Sequence, residues 1–270
     1  MYATERPLIR ASARVRGDSE SAAPQKHSRP QFDRLCGAKR EVGAFKTANG
    51  DRSWKLAVFS LDFSAPMFER SRFISRAVHK LTEIVATCAI PPPRRSLHLG
   101  EAPGGFVQGT QLFLEELGRD QGWTWVAVSL PGGIAFDTAK LPMTCGRTVF
   151  CDMLRVDDAV QAIGDGAFDM VTADGAIEMD HSQLEQEHTP LARAETEIAL
   201  RLLSKGGTYI VKLFEAAERS QINMIAKLTM CFANVSLIKP HASRATNSEL
   251  YLVCTGYDTS SVDAELLAQL

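Results

Sequence analysis

From residue 72 onward, apolar residues follow two spacings, one typical of helices and the other of buried strands. Residues 72–89 carry an apolar side chain every three to four positions, which predicts a helix that ends before Pro91. Short apolar runs predict strands at 97–99, 123–128, 148–151, 168–173, 208–214, 235–238 and 250–255. Helical spacing predicts further helices at 106–117, 191–203 and 222–230.

The alternation of strands and helices is typical of an α/β domain with a doubly wound, mostly parallel sheet. Lys205, Gly206 and Gly207 are predicted to close the helix that precedes the strand at 208–214. A short link joins the last two strands, which suits an antiparallel pair. We therefore expect the final strand to run against the others.

The N-terminal 50 residues show almost no apolar periodicity, so we expect a disordered or loosely packed arm. The domain is then expected to span 51–260, with short strands or an extended cover at 54–59 and 61–63, and a tail at 261–270. The arm holds 10 Lys and Arg against 5 Asp and Glu, whereas the remainder holds 20 against 27. A basic arm on an acidic body occurs in RNA-binding enzymes, but also in disordered tails without a binding role.

Composition indicates an ordinary globular protein, with 45% hydrophobic residues, 23% charged residues and a net charge of -2. No apolar run is long enough to span a bilayer and the N-terminus lacks a signal peptide, so we expect a soluble intracellular protein, in cytoplasm or nucleus, without a membrane partner. Six scattered cysteines without a C-x-x-C pair argue against a zinc site and a disulfide framework.

A glycine-rich turn follows the strand at 97–99, beginning at Gly100, and a helix follows the turn. In open α/β sheets such turns lie at the carboxyl ends of the strands, where ligands bind. The turn has neither the dinucleotide spacing G-x-G-x-x-G nor the phosphate-loop pattern. Taken alone, it is equally well explained as a structural turn.

Five segments resemble the FtsJ-like (RrmJ-type) ribose 2'-O-methyltransferases, in the same order along the chain. They lie at 75–81, 101–106, 168–175, 206–212 and 239–251, and the resemblance extends over about 70–257. It implies a Rossmann-like class I methyltransferase sheet with an antiparallel final strand, and S-adenosylmethionine as the cofactor. The cofactor-binding residues it implies are Gly100, Glu101, Ala102, Pro103, Gly104, Gly105, Phe106, Ser129, Asp152 and Asp174.

Two of these positions leave alternatives open. Ser129 stands where nucleoside-binding sheets commonly carry an acidic residue that accepts the ribose hydroxyls, so backbone or another side chain would have to hold the ribose. Asp152 follows the third strand, where relatives place an adenine contact. An aspartate there is equally well explained by a turn or a helix N-cap.

The same resemblance matches Lys80, Asp174, Lys212 and Glu249 to the family's Lys-Asp-Lys-Glu tetrad. In a doubly wound sheet, Asp174 and Lys212 lie at carboxyl ends of parallel strands, and Glu249 begins a reversed strand at the same edge. Lys212 interrupts an apolar run, so it either extends outward to solvent or belongs to a functional site. Alternatively, these four residues are incidental surface charges.

The implied chemistry is methyl transfer to a ribose 2'-hydroxyl, a poor nucleophile that needs a positioned base. Lys212 is the expected base and Lys80 its electrostatic partner. Asp174 would orient the base and the methyl donor, and Glu249 would orient Lys212 or the hydroxyl. The reaction requires no metal.

The expected substrate is RNA, and the segments resemble mRNA cap and viral cap members more than the bacterial ribosomal enzyme. Methylation of rRNA or tRNA is the alternative, and a catalytically silent module that binds RNA or protein is another. The arm could also contact a protein partner. RNA contacts are expected from Arg76, Lys239, Ser243 and Arg244, with Arg94, Arg95 and His241 at the cleft rim, unless these form an ordinary solvated surface.

Overall fold

The computed structural model describes residues 11–13, 72–176, 184–214, 216, 218–244, 247–258 and 260. Its strands are β1 (Ala11–Ala13), β2 (Arg95–Leu99), β3 (Thr124–Ser129), β4 (Gly146–Phe150), β5 (Phe168–Ala173), β6 (Leu203–Phe214), β7 (Phe232–Ile238) and β8 (Glu249–Tyr257). Its helices are α1 (Ala77–Thr87), α2 (Gly105–Glu116), α3 (Val156–Ile163), α4 (Leu184–Leu202) and α5 (Arg219–Cys231). The expectations for most of the arm, for 54–63 and for the tail lie outside the described residues.

The strands form one sheet in the order β1-β7-β8-β6-β5-β2-β3-β4. Neighbours from β6 to β4 pair in parallel, whereas β8 lies antiparallel between β6 and β7. The predicted α/β fold, with its mostly parallel sheet and reversed final strand, is confirmed. At the edge of the sheet opposite β4, Ala11 of β1 pairs with Leu237 of β7 in an antiparallel arrangement.

The sheet reverses its winding beside β2. From this strand the chain proceeds to β3 and β4 on one side and later to β5 and β6 on the other. In open α/β sheets a ligand binds in the crevice outside the carboxyl ends of the strands at such a point. The crevice here lies between the turns that follow β2 and β5.

Helices cover both faces of the sheet. On one face, α1 buries Leu81 and Ile84 in a cluster with Ile210 of β6 and Tyr251 of β8. On the other face, α4 buries residues such as Ile198 against β5 and β6, and α5 packs against β7 and β8. Side chains of one strand alternate between these two layers, so the sequence of each strand decides which layer each residue joins.

Three features differ from the sequence expectations. Helix α4 begins at Leu184 and includes Pro190, and α3 was not predicted. The prediction that Lys205, Gly206 and Gly207 close a helix is wrong, because α4 ends at Leu202 and these residues lie within β6. Gly206 has a φ of 82°, and the pairing of β5 with β6 is irregular there, so the glycines serve a β-bulge.

A buried polar chain crosses β2 and its neighbours. The indole N–H of Trp123 donates to Ser96 Oγ over 2.9 Å, and the ring of His98 lies 2.9 Å from that hydroxyl and 2.8 Å from Thr172 Oγ1. Burial lowers the pKa of His98 to about 3. The imidazole therefore stays neutral in the folded protein at pH values where it would be charged in the unfolded chain.

This difference predicts a loss of stability in acid that His98→Gln reduces. A histidine pKa depressed by folding contributes stability above its unfolded pKa of about 6.5, and that contribution falls as the pH drops towards the folded value. Between pH 7 and 5 the wild type should lose about 2 kcal/mol more unfolding free energy than the variant. Urea unfolding at both pH values measures this difference. His188, whose pKa is lowered to about 4, remains in both proteins, and equal losses would contradict the prediction.

Candidate active site

Four elements bring the predicted ionisable residues to one edge of the sheet. Lys80 lies on α1, Asp174 directly follows β5, Lys212 lies near the end of β6 and Glu249 begins β8. Phe214 of β6 is opposite Glu249 in the antiparallel ladder, which places the start of β8 beside the end of β6. The reversed direction of β8 thus brings Glu249 to the carboxyl ends of the parallel strands.

The four side chains form two ion pairs. Lys212 Nζ lies 3.2 Å from Asp174 Oδ1 and donates to the Asp174 carbonyl oxygen over 2.7 Å. Lys80 Nζ lies 2.8 Å and 3.0 Å from the two carboxylate oxygens of Glu249. Glu249 therefore pairs with Lys80, and no contact joins it to Lys212 among the described residues.

Tyr251 joins the two pairs. Its hydroxyl donates to Asp174 Oδ1 over 2.7 Å and accepts from Lys80 Nζ over 3.3 Å. Sequence reasoning missed this residue, which it assigned only to a strand. A signal was present, because Tyr251 stands two positions after Glu249 and so lies on the same face of β8. It is also directly opposite Lys212 across the ladder.

Burial and mutual pairing oppose each other in setting the charges. Burial alone would raise the pKa of Asp174, but the ammonium groups of Lys212 and Lys80 and the hydrogen bond from Tyr251 hold that pKa below its ordinary value. Burial alone would lower the pKa of Lys80, but the carboxylates of Asp174 and Glu249 raise it. Asp174 therefore stays an anion and Lys80 a cation at neutral pH. Burial also raises the pKa of Tyr251, which keeps its phenol protonated.

The turn after β2 is held by its own glutamate. Glu101 Oε1 accepts the N–H groups of Phe106 and Val107 over 2.7 Å and 2.9 Å, at the start of α2. Burial raises the pKa of Glu101 to about 8, against the opposing effect of these two bonds. Among the described residues, Glu101 thus satisfies helix N–H groups that would otherwise lack a partner.

Several other predicted cofactor residues serve the packing of this turn. Gly104 has a φ of 118°, and a Cβ there would lie 2.9 Å from Leu141. A Cβ on Gly105 would lie 2.4 Å from Ser75 Oγ, so this glycine lets α1 and α2 approach closely. Phe106 is fully buried, with its ring 5.9 Å from that of Tyr251. Ala102 and Pro103 complete the turn before α2.

The ends of β3 and β4 carry the remaining predicted cofactor contacts. Ser129 is buried at the end of β3. Asp152 Oδ1 accepts the N–H of Leu154 over 3.0 Å, as a turn aspartate does, whereas the N-cap of α3 is Arg155. This hydrogen bond within the turn therefore engages one carboxylate oxygen of Asp152.

The link between β7 and β8 orients Glu249. Ser243 Oγ donates to Glu249 Oε1 over 2.6 Å. Lys239 Nζ donates to the carbonyls of Asn247 and Glu249, and Glu83 of α1 accepts the N–H groups of two residues of the link. Among the predicted RNA contacts, Lys239 and Ser243 are thus engaged within the protein, whereas Arg244 is exposed and Arg76 lies at the start of α1.

The expectation that Arg94 and Arg95 lie at the cleft rim is wrong. Arg95 begins β2, whereas the crevice lies at the opposite end of that strand. The backbone N–H groups of both arginines donate to Asp169 Oδ2 near the start of β5, and the guanidinium of Arg95 lies over the ring of Phe168. Both residues therefore belong to the amino-terminal edge of the sheet.

The residues around the crevice fit a nucleoside that carries a positive charge. Asp174 supplies an anionic carboxylate, and Ser129 and Asp152 supply oxygen atoms at the ends of the adjacent strands. A further carboxyl group, that of Glu195, is buried behind the turn and has no hydrogen-bond partner among the described residues. This donor set suits the sulfonium, ribose and adenine of S-adenosylmethionine better than it suits a phosphate.

A family comparison agrees with this architecture. The profile of the FtsJ-like methyltransferases matches residues 73–257, and the chain belongs to this family. FtsJ-like methyltransferases use S-adenosylmethionine. A crystal structure of a ribosomal RNA methyltransferase from Plasmodium falciparum has the same fold, with a TM-score of 0.50, 18% identity, and coverage of 68% of this chain and 97% of that one.

Relatives with curated names are RNA methyltransferases. Cap-specific mRNA (nucleoside-2'-O-)-methyltransferase 2 of Danio rerio is 29% identical over 222 residues, which cover 73% of this chain and 30% of that protein. Ribosomal RNA large subunit methyltransferase E of Gluconobacter oxydans is 27% identical over 236 residues, covering 82% of this chain and 79% of that protein. The chain spans less than two fifths of the length of the cap-methyltransferase 2 relatives that it matches.

No helix in the described part of the chain has the length and apolar character needed to cross a membrane.

Tyr251→Phe tests the bridge between the two ion pairs. The variant keeps the ring but removes the hydroxyl that Asp174 and Lys80 share, so we expect methyl transfer to RNA to slow by about tenfold, as for loss of a hydrogen bond to a charged group. Tyr257→Phe is the matched control, because it removes a buried hydroxyl bound to the Leu200 carbonyl away from the cluster. Rates and thermal stability of both variants should be compared. An equal slowing in Tyr257→Phe would show a general effect of destabilisation.

Proposed function

We propose that this chain catalyses S-adenosylmethionine-dependent methyl transfer to a ribose 2'-hydroxyl of RNA, with the cap-proximal nucleotide of mRNA as the substrate. The observation that carries the proposal is the largely buried cluster of Lys80, Asp174, Lys212 and Glu249, joined by Tyr251, beside the turn after β2. Such a cluster lies where the reacting groups of an open α/β enzyme meet.

The reaction needs a base and an oriented acceptor. S-adenosylmethionine supplies an electrophilic methyl group when bound. A ribose hydroxyl attacks such a group poorly at neutral pH, so a side chain within hydrogen-bond reach must accept its proton. In the proposed mechanism Lys212 is that side chain.

The contacts of Lys212 suit this role. A neutral lysine amine has two N–H bonds and one lone pair. Asp174 offers two acceptors to Nζ, its carbonyl oxygen and its carboxylate Oδ1. When both N–H bonds point to these acceptors, the lone pair occupies the remaining tetrahedral position, where it can accept the proton of the ribose hydroxyl. Asp174 thus orients the base through backbone and side chain together.

Lys80 and Glu249 have a different role in the mechanism. The carboxylates around Lys80 raise its pKa, so this residue keeps its proton and cannot serve as the base at neutral pH. Its positive charge offsets the carboxylates of Asp174 and Glu249. Ser243 and Lys80 together fix the Glu249 carboxylate, which leaves it positioned to accept a hydrogen bond from the RNA ribose.

Two RNA classes are candidate substrates. The cap-specific relatives favour mRNA, which is the proposal. The alternative is rRNA, because the chain covers 79% of the Gluconobacter ribosomal enzyme but 30% of the Danio cap enzyme. Exposed Arg244, at the link that holds Glu249, would contact the phosphate backbone in either case.

A methyl-transfer assay separates these substrates. The protein should be incubated with labelled S-adenosylmethionine and with capped RNA, uncapped RNA of the same sequence, or an rRNA fragment, followed by nucleoside analysis. We expect a 2'-O-methylated nucleotide next to the cap, and little product from uncapped RNA. Selective labelling of the rRNA fragment would favour the alternative, and base methylation as the sole product would contradict the mechanism.

Substitution of Lys212 tests its role as the base. Lys212→Ala should slow methyl transfer by about 100-fold to 10,000-fold, as expected for a lost general base, while donor binding stays close to that of the wild type. Lys212→Arg should also fail, because a guanidinium keeps its proton. Lys205→Ala, at the opposite end of β6, is the control and should retain activity. Single-turnover rates and calorimetric donor binding provide the measurements, and an active Lys212→Arg enzyme would refute this role.

A further inference from the structure

Glu195 of α4 is a buried carboxyl group that the proposed mechanism does not use. Its side chain has no solvent exposure, and neither carboxylate oxygen has a hydrogen-bond partner among the described residues. The N–H of Gly175 lies near enough to lower the pKa of the carboxyl, without reaching hydrogen-bonding geometry. A buried polar group of this kind costs free energy and calls for an explanation.

The carboxyl lies directly behind the two turns that border the crevice. A Cβ on Gly175 would lie 2.4 Å from Glu195 Oε1, and a Cβ on Gly100 would lie 3.1 Å from the same oxygen. The two glycines also touch each other, since a Cβ on Gly100 would lie 2.2 Å from Gly175 Cα. No side chain on either glycine therefore stands between Glu195 and the crevice.

The charged and titratable groups around Glu195 come from three elements. Lys212 and Tyr209 approach from β6, Asp174 lies at the end of β5, and His188 of α4 lies 3.1 Å from the Gly175 carbonyl oxygen. Burial raises the pKa of Glu195 to about 8, with Lys212 opposing the rise and Asp174 adding to it. The carboxyl is therefore mostly protonated at neutral pH, and an additional cation nearby would ionise it.

We propose that Glu195 is a positioning residue that selects the positively charged methyl donor over its neutral product. Its carboxyl releases a proton to solvent when a sulfonium cation binds in front of Gly100 and Gly175. The inference rests on the proposed function for the identity of that ligand.

Charge and protons balance through the cycle. Donor binding adds one positive charge to the crevice, and Glu195 changes from a neutral acid to a carboxylate as one proton leaves. Methyl transfer converts the sulfonium to a neutral thioether while the proton of the ribose hydroxyl passes to Lys212. Once Lys212 has returned that proton to solvent, Glu195 no longer has the added cation that favoured its charged form. It regains a proton from solvent, and the remaining nucleoside is held less tightly. Glu195 would thereby favour donor entry and product release at the same site.

The test counts protons by calorimetry. The wild-type chain should be titrated at pH 7 with S-adenosylmethionine and, separately, with S-adenosylhomocysteine, in buffers of different ionisation enthalpy and without RNA. The two ligands share the nucleoside and the amino acid, so their difference isolates the methyl group and its charge. We expect the donor to release about half a proton more than the product. The preference for donor over product should fall by about tenfold in Glu195→Gln.

Three variants assign the proton. Glu195→Gln should abolish the difference in proton release. Glu197→Gln, on the same helix but paired with Arg201, should behave as the wild type. Glu101→Gln removes the other buried carboxyl of the turn, and loss of the difference in this variant but not in Glu195→Gln would assign the proton to Glu101 and overturn the role of Glu195. If Glu195→Gln does not fold, infrared difference spectra of the wild type and Glu101→Gln should show a protonated-carboxyl band that disappears on donor binding.

The outcomes separate the two proposals. Equal proton release by donor and product, or an unchanged difference in Glu195→Gln, would overturn the role of Glu195 while leaving the methyltransferase proposal intact. Failure of the wild type to bind either ligand would overturn both. A protein-wide loss of stability alone would not change the proton count, so this measurement distinguishes charge selection from a structural role.

Discussion

The shared hydrogen bond of the Tyr251 hydroxyl is the interaction on which the candidate site depends. It connects an Asp174–Lys212 pair to a Lys80–Glu249 pair, so four largely buried charges form one compensated group. Removing one partner from a buried ion pair leaves an uncompensated charge, which costs far more than the pair contributes to stability. Each lysine is therefore held by residues of another element, Lys80 by β8 and Lys212 by the turn after β5, and the site is a property of the assembled sheet.

Sheet topology makes that arrangement possible. The parallel strands place Asp174 and Lys212 at their carboxyl ends, which lie together at one edge of the sheet, where ligands bind. The reversed strand β8 then contributes Glu249 and Tyr251 from its amino end to the same edge, two residues apart on one face. Helix α1 completes the site with Lys80, and Glu83 one turn later holds the link that leads into β8. One helix thus fixes both the charge partner of Glu249 and the backbone that precedes it.

The strands from β2 to β8 could be predicted from the sequence, because those of the parallel region are short apolar runs and most helices have a clear apolar stripe, whereas β1 was not predicted. Helix α3 was missed although Val156, Ala159, Val160 and Ile163 have helical spacing, because eight residues give only two turns of that pattern. The ionisable residues of the cluster were found through a family resemblance. Tyr251 and Glu195 were missed for a common reason: each occupies a position where a strand or helix ordinarily buries an apolar residue. The role of their polar atoms can be recognised only from the folded structure, where a residue from a distant segment, such as Asp174 or Gly175, lies beside them.

The same reasoning applies to the residues that were expected to contact RNA. Lys239 and Ser243 have the composition of a phosphate-binding rim, yet their donors are used within the protein. Arg94 and Arg95 precede a strand, so the direction of that strand alone would have placed them away from the crevice. Charge in a sequence identifies candidate contacts, but strand direction and internal hydrogen bonds decide which of them remain accessible.

The amine of Lys239 also affects how an alkaline pH profile should be interpreted. Burial lowers its pKa to about 8, and its three donors are directed to the carbonyl and side chain of Asn247 and the carbonyl of Glu249. A neutral amine has only two N–H bonds for these three acceptors. Raising the pH through 8 therefore loosens the backbone that delivers Glu249, while the ionisable residues of the cluster keep their own partners. A fall in rate in that pH range would then result from a change in loop geometry, although the pH–rate profile would resemble the titration of a catalytic acid.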